Sequence, residues 1–217
     1  MPHIIHLSKD KKLHKIILQQ EKYLLEKRNH VHLHICASII SQQLSTKVAA
    51  VIYARFLALF SKKNPGPKDI VSMPFDQLRS IGLSNAKTNY VLNVCNFFIE
   101  NNINDARLHK MEDEELIEFL TQIKGVGRWT AEMILMFTLG REDVFAVDDL
   151  GIQQSICKLY KIDAADKKTM KLQMLKISAK WSPYRTYACR YLWGWKDGGS
   201  KVKGEFFESY FLHMGDC

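Results

Sequence analysis

The stretch Leu120-Thr-Gln-Ile-Lys-Gly-Val-Gly-Arg-Trp-Thr-Ala-Glu132 constrains the fold of this chain more than any other. It reads as a helix that ends in a glycine hairpin, Gly125-Val126-Gly127, with a second helix beginning at once. Two glycines one residue apart allow a tight turn and a close approach of a partner to the backbone. The first N–H groups of the second helix have no acceptor within it, and the helix dipole favours an anion such as a phosphate at that end. Further on, the carboxylate pair Asp148-Asp149 stands at the start of another helical run. A phosphate grip followed by an acid at a helix start points to chemistry on nucleic acid.

A chain of 217 residues can build a full core in one unit or in two small lobes. Lys and Arg number 31 against 23 Asp and Glu, a formal net charge of +8. That surplus suits a polyanionic partner, although many basic proteins bind no nucleic acid. No apolar run reaches the roughly 18 residues of a membrane-spanning helix. The opening Met-Pro-His-Ile-Ile-His lacks the basic-then-apolar pattern of a signal peptide. Cysteines at 36, 95, 157, 189 and 217 are scattered and odd in number, which argues for a reducing cytosol and against a disulfide framework. The expected location is cytoplasmic, at the nucleoid in a bacterium or in the nucleus of a eukaryote.

A helical period runs through most of the chain. It predicts a first helix capped by Ser8 with Leu13, Ile16, Ile17 and Leu24 on its apolar side, and a second over 31–41. The polar break Ser41-Gln-Gln-Leu-Ser45 precedes a third helix through Ala49, Val51, Ile52, Phe56 and Phe60. Residues 62–67 are a loop by composition. Helices follow near 75–81 and 85–100, then over 114–123 with Asp113 as cap, and over 128–139 ending at Gly140. Asp149 opens a helix to about residue 160, and two more lie near 166–180 and 183–195. Leu78, Ile81, Thr88 and Leu92 recur 42 positions later as Leu120, Ile123, Thr130 and Ile134, so a second tight turn could also grip DNA. His30, His32 and His34 alternate, but a helix from Val31 puts only some of them on one face. The pattern leaves open whether the tail from Gly198, with Phe206-Phe-Glu-Ser-Tyr-Phe211, packs or frays.

Five segments in order resemble the helix-hairpin-helix DNA glycosylase superfamily, and specifically its 3-methyladenine DNA glycosylase II (alkylation repair) family. They are Ile39-Ile-Ser-Gln-Gln-Leu-Ser-Thr-Lys47, Leu78-Arg-Ser-Ile-Gly-Leu-Ser-Asn-Ala-Lys87, Ile123-Lys-Gly-Val-Gly-Arg-Trp-Thr-Ala131, Phe145-Ala-Val-Asp-Asp-Leu-Gly-Ile152 and Trp181-Ser-Pro-Tyr-Arg-Thr-Tyr-Ala-Cys-Arg-Tyr-Leu-Trp193. Ala146 departs from the family, which usually carries proline just before the acidic pair. The four-cysteine iron–sulfur loop of endonuclease III-like relatives is missing, and the short segment before the first match implies no N-terminal β domain.

The resemblance implies an all-α, two-lobed fold with the active-site cleft between the lobes. One lobe is expected over 35–145, the other over 1–34 with 146–217. Asp149 becomes the catalytic residue. A carboxylate beneath the sugar stabilises the positive charge that builds as an N-glycosidic bond breaks, and positions a water. By position alone Asp148 and Asp149 would merely cap a helix; with Asp149 in catalysis, the cap falls to Asp148.

Trp129 occupies the place where strand-cutting relatives carry a Schiff-base lysine, which implies a monofunctional enzyme. Lys47 and Lys124 are alternative amines; Lys124, before the hairpin, reads as a phosphate contact or a solvated side chain. Trp129 and Trp193 are expected to form a base pocket whose aromatic faces attract a cationic alkylated purine, by about 0.5–2 kcal/mol. Gln42, Tyr187 and Met133 would line it, Met133 standing where some relatives have an aromatic. Trp181 and Trp195 read as core. Gln43 or Leu44 would fill the gap left by the flipped base, with Ser45 in the same DNA-binding loop. Gly125, Gly127 and Thr130 would hold a phosphate. Backbone carbonyls of Thr121, Ile123 and Val126 would coordinate a structural monovalent or calcium ion, with no other cofactor.

The function so implied is excision of alkylated purines such as 3-methyladenine and 7-methylguanine from double-stranded DNA in base excision repair, by a monomer that uses no membrane. Alternatives are a glycosylase for deaminated bases such as hypoxanthine or uracil, and a non-catalytic DNA-binding module.

Overall fold

The computed structural model of the chain describes residues 1–196 and 198. Among the described residues there are thirteen α-helices, a single 3-10 turn and no strand. The tail beyond Gly198, with its phenylalanine cluster, lies outside the described residues. The described chain divides into two compact units: Met1–Glu26 together with the segment from Gly140, and Lys27–Leu139. The family resemblance implies divisions at 34/35 and 145/146.

Hydrogen bonds explain where the intervening segments go. Arg28 N–H donates to Thr138 O at 2.7 Å, which ties residues 27–30 to the end of the second unit. Residues 141–144 are held in the first unit. Thr186 Oγ1 donates to Arg141 O at 2.6 Å and accepts from Val144 N–H at 3.0 Å. The Arg185 guanidinium grips Asp143, with Nε to Oδ1 at 2.8 Å. Burial alone would push the Asp143 carboxyl up; hydrogen bonds from Arg185 and Ser182 outweigh it and hold the group below its ordinary range.

In the first unit, α1 (Pro2–Leu7) and α2 (Lys11–Ile17) replace the single helix that the pattern predicts. Ser8 is the C-cap of α1, not an N-cap. Asp10 caps α2 instead, accepting from Lys12 and Leu13 N–H, because its carboxylate can serve two orphan donors at once. Leu13, Ile16 and Ile17 are buried as expected, whereas Leu24 lies outside any helix and is 66% exposed. Asp10 also accepts from the Tyr160 hydroxyl at 2.6 Å and from the Trp181 indole at 3.2 Å. Trp181 is buried in the core, while Trp195 is half-buried with the Lys158 ammonium 5.0 Å from its ring.

The second unit is organised by α3 (Val31–Ser41), in which every residue from Val31 to Ile40 is buried. It packs against α4 (Thr46–Ala58), α7 (Asn85–Glu100) and α10 (Arg128–Phe137). Its first N–H groups are satisfied from another element: the Asp105 carboxylate accepts from His30 N–H at 2.6 Å and Val31 N–H at 3.1 Å. His32 Nε2 donates to Pro65 O. Among the described residues no group of three potential metal-ligating side chains forms. Two short helices escaped the pattern, α5 (Pro67–Val71) and α8 (Asp105–Lys110). With α6 (Phe75–Ser80), α5 packs on α7, and α9 (Asp113–Thr121) packs on α10. Glu112 rather than Asp113 is the N-cap residue of α9, and Asp113 is its first helical residue.

The first unit closes with α11 (Leu150–Tyr160), α12 (Lys167–Ser178), the 3-10 turn Ala179–Trp181 and α13 (Arg185–Lys196). Of these, α11 packs on α13 and α12, and α13 also covers α2.

Candidate active site

The hairpin of the second unit joins α9 to α10. Leu116, Ile117 and Leu120 bury one face of α9, and Asp113, Glu114 and Glu115 occupy its first turn, where the dipole favours acids. Ile123 and Val126 tuck inward at 2% and 5% exposure, with Val126 N–H on Ile123 O at 2.9 Å. The two glycines differ in why they are glycine. Gly125 has φ +108°, and a Cβ there would stand 2.7 Å from Tyr90 Cβ. Gly127 has ordinary extended backbone, φ −94° and ψ 171°, and nothing lies within 4 Å of where its Cβ would be. The fold itself therefore demands glycine at 125. At 127 the bare backbone faces open space at the start of α10, as an anion site requires.

Arg128 binds Glu114 at 2.8 Å and Glu132 at 3.1 Å, which draws the first turn of α10 onto α9. Its guanidinium is thus engaged within the chain. Trp129, the next residue, is half-buried. Thr130 is 4% exposed and Met133 fully enclosed, so both belong to the packed face of α10. Lys124 and Thr121 are exposed, the Thr121 hydroxyl donating to Ile117 O.

Between α3 and α4 the loop 42–45 turns on Gln43, which is exposed and left-handed at φ 60°. Gln42 and Leu44 are half-buried, Leu44 N–H donates to Ser41 O at 3.0 Å, and Ser45 caps α4.

In the first unit, the structure brings together Asp149 and Trp193, which are 44 residues apart. Trp193 Nε1 donates to Asp149 Oδ1 at 2.8 Å. The same oxygen accepts Ile152 N–H at 2.8 Å, which makes Asp149 the N-cap of α11. The cap therefore does not fall to Asp148: that residue is exposed and ion-paired with Lys171. Position explains the reversal, since only the residue immediately before the first helical turn reaches the N–H three residues on. Tyr187 sits elsewhere in the same unit. Its ring stacks on His3 with centroids 3.8 Å apart, and its hydroxyl donates to Glu142 at 3.0 Å. Burial and then that hydrogen bond push its phenol up to about 12.

Sequence reasoning missed Gly151. A Cβ there would lie 3.1 Å from both Asp149 Oδ1 and Trp193 Cδ1. Glycine inside the first turn of a helix is intrinsically unfavourable, and that mismatch was the available signal.

Residues 36–180 match the family described as HhH-GPD superfamily base excision DNA repair protein. The chain belongs to this superfamily. Among curated relatives, DNA-3-methyladenine glycosylase 1 of Schizosaccharomyces pombe is 38% identical over 72% of this chain and 68% of its own. Among solved structures of the superfamily, the DNA-3-methyladenine glycosidase of Bacillus halodurans superposes with a TM-score of 0.79. It is 32% identical, with 98% of this chain and 96% of that one covered. The S. pombe 3-methyladenine DNA glycosylase, solved with abasic DNA, gives 0.75 at 33% identity, covering 93% and 100%. The fold of this chain is thus that of the HhH-GPD glycosylases, and its relatives are 3-methyladenine DNA glycosylases by name.

Proposed function

We propose that this protein is a monofunctional alkylpurine DNA glycosylase, which hydrolyses the N-glycosidic bond of bases of the 3-methyladenine and 7-methylguanine type in duplex DNA and acts as a monomer. The observation that carries this reading is the Asp149 carboxylate, fixed through Oδ1 by the Ile152 N–H and the Trp193 indole. A carboxylate held in one rotamer is pre-oriented, so it need not reorganise as charge develops on the deoxyribose. An alkylated purine is cationic and departs as a neutral base. The bond to C1′ breaks with its electron pair going to the base, the carboxylate faces the oxocarbenium ion, and water adds to C1′ and releases its proton to solvent. An abasic site in an unbroken strand results.

The bare backbone at Gly127 and the first turn of α10 suit a phosphate, and the net charge of +8 favours the duplex. Trp129 supplies an aromatic face and no amine for a Schiff base. The end of α9 and the hairpin present backbone carbonyls, the donor type a hard cation takes; Thr121, Ile123 and Val126 would hold such an ion and stiffen the turn.

The test is base release from methylated duplex DNA by wild type and by Asp149→Asn, with strands analysed before and after alkali. Wild type is expected to release methylated purines and leave strands intact until alkali is added, while Asp149→Asn still binds DNA without releasing base. Release by the variant at the wild-type rate removes Asp149 from the mechanism. Strand cutting without alkali removes the monofunctional assignment. Release only from hypoxanthine- or uracil-containing DNA reassigns the substrate.

A further inference from the structure

Lys87 lies in the first turn of α7, where the dipole of its own helix disfavours a cation. Its ammonium reaches across to the end of α3 and donates to Ile40 O at 2.8 Å and to Gln42 O at 2.7 Å. Ile40 belongs to the last turn of α3, whose carbonyls have no donors within the helix. The lysine is half-buried, and desolvation pulls its pKa below the ordinary value. A lysine in that setting is held for the two carbonyls it meets.

Those carbonyls lie immediately before the turn of the 42–45 loop. Gln42 O is fixed by Lys87, and Leu44 N–H is fixed on Ser41 O. Gln43 stands between them in the left-handed conformation, which a non-glycine residue adopts only when its flanks hold it there. The same helix braces the hairpin. Tyr90, one turn on, fills the space beside Gly125, and Asn93, a further turn on, donates to Lys124 O at 3.2 Å. One helix of sixteen residues thus carries supports of both the 42–45 loop and the glycine hairpin.

We propose that Lys87 is a positioning residue for base excision: it holds the 42–45 loop preformed, with Gln43 at the tip, so that the loop can occupy the space left in the duplex when a base leaves the stack. This rests on the reading of the protein as a DNA glycosylase whose 42–45 loop meets DNA. Lys87 touches neither Asp149 nor the base; it acts through the backbone it holds.

The test uses the full chain and an alkylated purine at one defined site, placed either in a paired duplex or in an unpaired bubble. In the bubble the stack is already open, so a preformed wedge has little left to do. Single-turnover release is measured at saturating enzyme for wild type, Lys87→Met, Lys87→Gln and Lys87→Arg. Lys87→Met is expected to lose about ten- to hundredfold on the paired substrate, the scale of a small misplacement. On the bubble it should stay close to wild type, and Lys87→Arg should restore the paired rate. Should Lys87→Met fail to fold, Lys87→Gln, which keeps one donor, carries the same comparison. Equal losses on both substrates would show Lys87 to be a structural residue only, and no loss on either would remove it altogether. A wild-type enzyme inactive on both overturns the functional reading itself, an outcome seen without any variant.

Discussion

Trp193 donates its indole N–H to the same Asp149 oxygen that caps α11, so the candidate catalytic carboxylate is held by two elements of one unit. The cap fixes the carboxylate along α11, and the indole fixes it against α13. Trp193→Phe keeps an aromatic face and removes only the donor. A hydrogen bond to a charged group contributes about 1.5–3 kcal/mol, so base release is expected to fall roughly ten- to hundredfold. The same lost hydrogen bond should lower the melting temperature by several degrees, while DNA affinity changes little. Single-turnover release at saturating enzyme measures this; an unchanged rate means the indole does not position Asp149.

Gly151 leaves room for that pair. An alanine methyl would press on both Asp149 Oδ1 and Trp193 Cδ1 at 3.1 Å. Elsewhere in a helix, alanine for glycine stabilises by roughly 0.5–1 kcal/mol. Gly151→Ala is therefore expected to slow base release while the helix gain offsets the local strain, so that thermal stability holds or rises. Activity and stability moving in opposite directions would locate the effect at the carboxylate. A variant with full activity would show that the pair shifts to accept the methyl.

The two hairpin glycines should separate folding from binding. Gly125→Ala meets both the Tyr90 side chain and a disfavoured φ, a strain of about 1–3 kcal/mol, and is expected to lower the melting temperature. Gly127→Ala meets nothing inside the protein and loses less than about 1 kcal/mol as a helix cap. Its methyl stands where a phosphate would approach, so DNA affinity should fall roughly tenfold, equivalent to about 1.4 kcal/mol. Calorimetry and DNA titration on both variants check the contrast. Intact DNA binding by Gly127→Ala places the phosphate elsewhere.

These sites were legible in the sequence to different depths. The helices at 31–41 and 85–100 and the glycine hairpin follow from local period and turn chemistry, which one segment carries by itself. Asp149 as the opening of a helix was readable for the same reason. The short helices α5 and α8 were not, since five or six residues hold too little period to register. Asp10 rather than Ser8 caps α2, and its second oxygen takes the tertiary donors Tyr160 and Trp181, which no local pattern announces. The contacts of Trp193 with Asp149 and of Lys87 with Gln42 O span 44 and 45 residues, and no spacing rule announces them. What the sequence does show there is a local misfit: a glycine inside a helix start, and a lysine at the wrong end of one.

His34 gives the second unit a defined acid response. Burial, and next the Arg28 charge, lower its pKa from 6.5 to about 3; the Asn29 backbone and Asp105 oppose this only in part, and His30 adds slightly to the lowering. Folded His34 therefore stays neutral down to about pH 3, while the unfolded chain takes up the proton near pH 6.5. Between these limits the unfolded state binds more protons, so stability falls as pH falls. The slope is about 1.4 kcal/mol per pH unit, or roughly 2 kcal/mol between pH 6.5 and pH 5. His32 and His3 are also lowered, chiefly by burial, and act in the same direction. His34→Gln is expected to be less stable at pH 7, having lost a fitted ring, yet to lose about 2 kcal/mol less than wild type on going to pH 5. Urea unfolding at the two pH values measures the difference. Equal acid losses in both proteins would mean that His34 takes up its proton in the folded state as readily as in the unfolded chain.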